Sequence, residues 1–182
     1  MPLVKNGVIT DDRFVPVLDD APVPDDVAVI VTAARLLADA GELAGRSAPL
    51  GVVWPNDRNV QELAPLLDRI ALVALVFPNF RDGRAYSQAR ILRERYHFRG
   101  ELRATGQVLR DQFLLLWRAG FDAFEVIKPA DAAKFSETIK RYSVHYQPDN
   151  DDTLAAFRRR IGRSPISTIP ERKQSTQSIG KS

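Results

Sequence analysis

Arginine side chains dominate the middle of this chain, and their type and spacing carry its clearest chemistry. Residues 79–120 contain nine arginines and no lysine, set among four acidic residues. A planar guanidinium grips a carboxylate or an oxyanion in two places, whereas an ammonium is a hydrated point charge. The preference for arginine therefore predicts ion pairs, a site for a small oxyanion, or both.

Several basic side chains and one serine are candidates for binding an anion or a partner protein. They are Arg84, Arg90, Arg93, Arg103, Arg110, Ser87 and Lys128. Arg95 and Arg99 lie off the apolar stripe of their predicted helix, so we interpret them as solvated surface charges.

Acid–base chemistry in this region requires other groups, because arginine holds its proton too tightly to act as a general base. The weak catalytic candidates are Asp82, Asp111 and Glu101, together with Tyr86. Glu101 and Arg103 share one face of a predicted strand, and a buried charge needs partners. The candidate partners for that face are Asp82, Arg84, Arg110 and Asp111.

The segment 77–84, FPNFRDGR, follows a buried apolar run and precedes a helical pattern. An α/β scaffold places its ligand loops at such positions. Asp82 is expected to cap the helix or to orient Arg84, and Gly83 is expected to permit a positive φ. Gly83 and Gly106 are therefore both assigned to structural loops.

Repeated strand and helix signals must position these residues. Short runs at 50–54, 72–77, 101–105 and 121–127 predict strands, and each is followed by apolar residues spaced three and four apart, which predict helices. Two of these helices are expected at 59–70 and 131–142. Glycines are expected to end two helices, with Gly41 after a helix at 32–40 and Gly120 after a helix at 108–119. Four or more such units predict an α/β fold with a mainly parallel sheet, either open or resembling half a barrel. In both arrangements binding residues gather at the carboxyl ends of the strands.

The two ends of the chain depart from this pattern. Residues 3–17 predict a β-hairpin that turns at Asp11 and Asp12, and an acidic, proline-rich linker follows. We divide the chain into an N-terminal hairpin and linker at 1–26 and an α/β domain at 27–146. A short helix at 147–162 and a disordered tail at 163–182 complete it.

Composition excludes several classes of function. The chain has no cysteine and two histidines, so no metal site and no cofactor is expected. It has no dinucleotide or P-loop motif. No apolar run is long enough to span a bilayer, so we expect a cytoplasmic protein that does not act on membranes. Nucleic acid is not an expected partner either, because the basic residues alternate with acidic ones.

The sequences FPNFRDGRAYSQARILRERY, GELRATGQVLRDQ and RAGFDAFEV resemble a small bacterial family of unknown function, over about residues 50–126. That family is described as probable oxidoreductases involved in sulfite reduction, encoded near assimilatory sulfite reductase. The resemblance implies a role in sulfur assimilation and cysteine biosynthesis, with sulfite reductase as partner. His97 and Gln107 stand where the family more commonly has a glycine and an acid.

Three hypotheses follow. The leading one is an accessory protein of assimilatory sulfite reduction, which binds a small oxyanion or docks to sulfite reductase through the region from Asp82 to Arg110. It is favoured because an oxidoreductase needs a redox centre and this chain has no recognisable nucleotide fingerprint. The second is an oxidoreductase or other enzyme of sulfur metabolism with a pocket at the strand ends. The third is a purely structural arginine network.

Overall fold

The computed structural model describes residues 3–5, 8–126 and 130–131 of the 182 residues. One mixed sheet organises them. Its eight strands are β1 (Leu3–Lys5), β2 (Val8–Thr10), β3 (Val15–Pro16), β4 (Val29–Thr32), β5 (Leu50–Trp54), β6 (Ile70–Phe77), β7 (Glu101–Gly106) and β8 (Ala123–Glu125). Their order across the sheet is β2-β1-β8-β7-β6-β5-β4-β3.

Short helices connect these strands. They are α1 (Ala33–Ala38), α2 (Ala40–Ala44), α3 (Arg84–Arg90) and α4 (Phe113–Arg118), with 3₁₀ helices at Val60–Arg69 and Arg110–Gln112 and a π-helical turn at Ile91–Arg95. The helix predicted at 59–70 is a 3₁₀ helix, and Pro65 lies inside it, where a proline lacks the N–H that an α-helix would use. The predicted stop at Gly41 is wrong, because Gly41 lies within α2.

The strands β3 to β8 run parallel and follow one another in chain order, while β1 pairs antiparallel with both β8 and β2. Parallel neighbours in chain order, joined by crossovers of one hand, place all connecting helices on the same face of the sheet. The other face carries no helix among the described residues. The α/β prediction is confirmed, and of its two forms the curled half-barrel is the one observed.

The segment from Asp11 to Phe14, here called the strap, shows why the sheet curls. It joins β2 at one edge of the sheet to β3 at the opposite edge. Eight flat strands would separate those edges by about 34 Å, whereas the five residue steps from Thr10 to Val15 reach about 18 Å at most. The strap can connect the edges only if the sheet bends around it, so the strap crosses the concave face.

The hairpin predicted for residues 3–17 is therefore wrong in the position of its turn. The hairpin pairs β1 with β2, and β3 pairs parallel with β4. The acidic pair was expected to turn the chain back, but Asp12 instead binds an arginine on the concave face. Of the remaining sequence predictions, the helix at 147–162, the tail at 163–182 and nearly all of a helix at 131–142 lie outside the described residues.

Two apolar clusters pack the two faces of the sheet. The larger joins the helices to the convex face, with Leu36, Leu63 and Leu92 against buried strand residues such as Val52. The smaller lies on the concave face and consists of Phe14, Ile30, Leu72 and Ala74. The strap therefore supplies the aromatic ring that fills the half-barrel.

Left-handed backbone occurs at Gly106, with φ +91°, and at His97, with φ +51°. A Cβ at position 106 would lie 2.5 Å from the backbone oxygen of Phe77, so only glycine fits between the ends of β6 and β7. The conformation of His97 is one that glycine adopts most easily. Gly83 has φ −82°, so the positive φ expected for it is not observed.

Candidate functional site

Arg103 lies on the concave face of β7, where its side chain is 1% exposed. Its Nε and Nη2 donate to Oε1 of Glu101 at 3.0 and 2.8 Å. Its Nη1 and Nη2 donate to the Asp12 carboxylate at 2.5 and 2.9 Å, and Nη1 also reaches Glu125 at 3.4 Å. Three carboxylates therefore surround one buried guanidinium.

The four partners predicted for this face, Asp82, Arg84, Arg110 and Asp111, are therefore wrong, and Glu101 and Arg103 pair with each other instead. Asp12 arrives on the strap, and Glu125 arrives on β8, which pairs with β7. Lys5 balances the surplus negative charge, since its Nζ lies 2.8 Å from Oε2 of Glu101. Burial works to lower the pKa of Arg103, but the hydrogen bonds to Asp12 and Glu101 outweigh it and raise that pKa. This network ties the strap to the sheet.

Arg93 is a second fully engaged arginine. Its guanidinium donates to the backbone oxygens of Phe98, Gly100 and Gly120 and to Oδ2 of Asp122 at 3.0 Å. Burial lowers the pKa of Arg93 and raises the pKa of Asp122. Arg93 therefore connects the π-helical turn to the approaches of β7 and β8.

A different arrangement lies at the carboxyl ends of β5 and β6. Asp82 accepts from Nε of Arg84 at 3.0 and 3.2 Å and from Nη2 at 2.6 Å, in a side-on bidentate pair. Its Oδ1 also accepts from the backbone N–H of Arg84, so one carboxylate orients both the helix start and the side chain. The charge of Asp57, after β5, also acts on this pair.

The loop between β6 and α3, residues 78–83, is held by several further hydrogen bonds. Oδ1 of Asn79 accepts from the N–H of Arg81, and the backbone oxygen of Asn79 accepts from the N–H of Asp82. Gln112 donates from Nε2 to the backbone oxygen of Phe80 at 2.9 Å. The ring of Phe80 is nevertheless 41% exposed, with the Arg81 guanidinium stacked 5.3 Å from its centre. A braced loop thus presents an aromatic ring to solvent.

Three of the four candidate acid–base groups, Asp82, Tyr86 and Glu101, sit in environments that oppose proton transfer near neutral pH. The hydrogen bond from Arg84 lowers the pKa of Asp82 well below its usual range, so this carboxylate is a weak base. Burial, with the negative charge of Asp111, raises the pKa of Tyr86 to about 12. Glu101 is occupied by Arg103 and Lys5. Asp111 is exposed on the 3₁₀ helix after β7.

Ser87 and Arg90 line a shallow cleft of about 320 Å³ between α3 and α4, together with Tyr86, Leu115 and Ala119. Of the other predicted residues, Arg110 is exposed on the 3₁₀ helix that precedes α4, and Lys128 lies outside the described residues. The predicted residues therefore fall into three groups. Arg103 and Arg93 make hydrogen bonds inside the fold. Arg84 lies at the carboxyl ends of the strands, and Ser87 and Arg90 line the cleft.

Sequence reasoning missed Asp12 and Glu125 as partners of Arg103, and Phe80 and Gln112 as parts of the strand-end loop. Asp12 had no local signal, because its partner is 91 positions away. Phe80 stood in the FPNFRDGR motif, but a phenylalanine is normally a core residue, so its ring was given no role in binding. Its arginine-rich flanks were the available hint.

Over the described part of the chain, no three histidine or acidic side chains are arranged to hold a metal ion. Nor does that part contain a helix that is long and apolar enough to cross a membrane.

Fold and site together define the class of this protein. It is an α/β half-barrel with a braced aromatic and arginine loop at the carboxyl ends of its strands. More particularly, it belongs to the family described as bacterial protein of unknown function (DUF934), whose family model matches residues 51–157, more than half of the chain. A comparison with curated proteins finds no match.

Proposed function

We propose that this chain is an accessory protein of assimilatory sulfite reduction that docks to sulfite reductase through the loop between β6 and α3. The pathway and the partner come from the resemblance of the segments around FPNFRDGRAYSQAR to a family described in those terms. The contacts of the described residues favour docking over catalysis, and they favour this loop over other surfaces.

The observation that supports docking is the combination of exposure and rigidity at Phe80. Aromatic rings and arginines are enriched where proteins bind one another, and a binding residue held in place in the free protein loses less entropy on association. Phe80 is 41% exposed, yet hydrogen bonds through Asn79, Asp82 and Gln112 fix the backbone on both sides of it. Arg81 stacks on the ring, and Arg84 begins the helix that follows the loop.

The same contacts disfavour acid–base catalysis by Asp82 and Tyr86. Asp82 is committed to Arg84, and the pKa of Tyr86 is raised to about 12. A free oxyanion is also less suited to this site, because such anions are held by several converging donors. Here one guanidinium edge is open among the described residues, so a free anion would meet no second converging group. A protein partner brings additional contacts of its own.

Retention of sulfite reductase by the tagged full-length chain tests the proposal, with Phe80→Ser as the variant. A central aromatic contact is typically worth about 2 kcal/mol or more, so we expect retention to fall by about thirtyfold. The matched control is Leu18→Ser, which removes an apolar side chain that is 74% exposed after β3. Both variants should keep the melting temperature of the unaltered protein.

Growth on sulfate as sole sulfur source gives the second measurement. A strain carrying Phe80→Ser should grow as poorly as a deletion strain, and one carrying Leu18→Ser should grow normally. Normal growth of the deletion strain, together with no retention of sulfite reductase by the unaltered chain, would refute the proposed function.

A further inference from the structure

The guanidinium of Arg84 has one edge occupied and one edge open. Asp82 takes the side edge, formed by Nε and Nη2. Nη1, on the end edge, receives no hydrogen bond partner from the described residues, and the side chain is 57% exposed. Resting on the proposed docking function, we infer that this end edge binds a carboxylate of the partner, next to an apolar socket that receives Phe80.

Asp82 makes the open edge a specific receptor. It holds the guanidinium side-on while also accepting from the backbone N–H of Arg84, so the side chain is anchored to the first turn of α3. An arginine oriented in this way loses little conformational entropy when it binds a second carboxylate. Because the pKa of Asp82 is lowered, the carboxylate stays ionised throughout the neutral range and the orientation persists.

The surrounding charge favours an acidic partner surface. Residues 79–120 expose six arginines and two acidic side chains, with Asp82 half-buried, and Asp57 is exposed beside Arg84. The exposed arginines are Arg81, Arg84, Arg90, Arg95, Arg99 and Arg110. Such a field accelerates encounter with a negative surface and is weakened by salt. The partner surface that fits is therefore a carboxylate beside an apolar depression, within a wider acidic patch.

Conservative replacement of Arg84 distinguishes the contribution of the planar guanidinium to binding from that of its positive charge. Arg84→Lys keeps the positive charge but cannot bind two carboxylates edge by edge, so we expect binding of sulfite reductase to weaken about tenfold. Arg84→Gln should weaken it at least as much. The control is Arg95→Lys, an exposed arginine stacked on Tyr96 in the π-helical turn. Affinity of the unaltered chain should fall as salt is raised.

A second arm uses a probe of known chemistry. The isotope-labelled chain is titrated with a short capped peptide of alternating glutamate and leucine, and with its glutamine counterpart. The inference is supported if the amide signals of Phe80, Arg81 and Arg84 shift with the glutamate peptide and not with the glutamine peptide. These shifts should be absent in Arg84→Lys. If Arg84→Lys binds sulfite reductase as tightly as the unaltered chain, the inference is overturned and docking stands. If the unaltered chain does not bind the reductase, the proposed function fails and the peptide titration alone tests the inference. Absence of amide shifts with the acidic peptide would then overturn the inference as well.

Discussion

Replacing Arg103 with methionine should destabilise the fold strongly, because it removes the cation from among three carboxylates. Arg103 is 1% exposed and makes five hydrogen bonds to Asp12, Glu101 and Glu125. Methionine retains the apolar stem but leaves only the weaker compensation from Lys5 at Glu101 and from Arg13 near Asp12. Removing one partner of a buried ion pair costs about 3–5 kcal/mol. For a domain of this size that lowers the melting temperature by roughly 6–20 °C.

The pH dependence gives this prediction a distinct signature. In the unaltered protein burial opposes ionisation of Asp12, but the hydrogen bond from Arg103 lowers its pKa overall. The stability from this group is therefore present at neutral pH and is lost as the pH falls below the unfolded-state value. Without Arg103 the clustered carboxylates repel one another, and their folded-state pKa values should rise. The difference in stability between variant and unaltered protein should then shrink between pH 7 and pH 5.

Urea unfolding at both pH values measures the effect, with the fluorescence of the two tryptophans, buried Trp54 and partly buried Trp117, as the signal. Arg95→Met is the control, because Arg95 is exposed and its replacement should change the free energy of unfolding by less than about 0.5 kcal/mol. A loss of under about 1 kcal/mol for Arg103→Met, or a difference that does not change with pH, would refute the account of this network.

Phe14→Ala should cost about 3–5 kcal/mol in urea unfolding, because the ring fills the concave face above Gly51, where a Cβ would approach it to 3.3 Å. Combined with Arg103→Met it should cost less than the sum, since both residues hold the strap. Gly106→Ala should cost more than about 1–2 kcal/mol, as a Cβ would meet the Phe77 backbone oxygen at a left-handed φ. Gly41→Ala, with open space in α2, should instead stabilise by about 0.5–1 kcal/mol.

Local pattern was enough to predict the central strands of this fold. The run Leu50–Trp54 is β5 with the same bounds, and the run predicted at 72–77 is β6, which begins two residues earlier at Ile70. Buried strands of a parallel sheet are apolar on both faces, so their sequence is nearly continuous in apolar residues. The predicted helix end at Gly120 is also confirmed, since its φ is +101° just after α4.

The sequence did not predict how the two edges of the sheet are connected. The choice between an open sheet and a half-barrel depends on the strap, whose acidic pair looked like a hairpin turn. Turn residues and residues of a crossing segment share the same polarity and the same freedom from helix and strand patterns. Only the pairing of Asp12 with Arg103, 91 positions later, distinguishes them. No periodicity within a short window contains that contact.

The arginines of residues 79–120 differ in how much of each guanidinium the chain itself occupies, and that difference separates scaffold from site. Every side-chain nitrogen of Arg103 and Arg93 donates a hydrogen bond, and each guanidinium reaches a distant residue, Asp12 for Arg103 and Asp122 for Arg93. Replacing either arginine should therefore first change stability. Arg84 uses Nε and Nη2 on its own neighbour Asp82 and holds no distant segment. Its loss should therefore cost little stability, because exposed ion pairs contribute about 0–1 kcal/mol. A binding defect in an Arg84 variant that melts normally is consequently the observation that would assign this arginine to recognition.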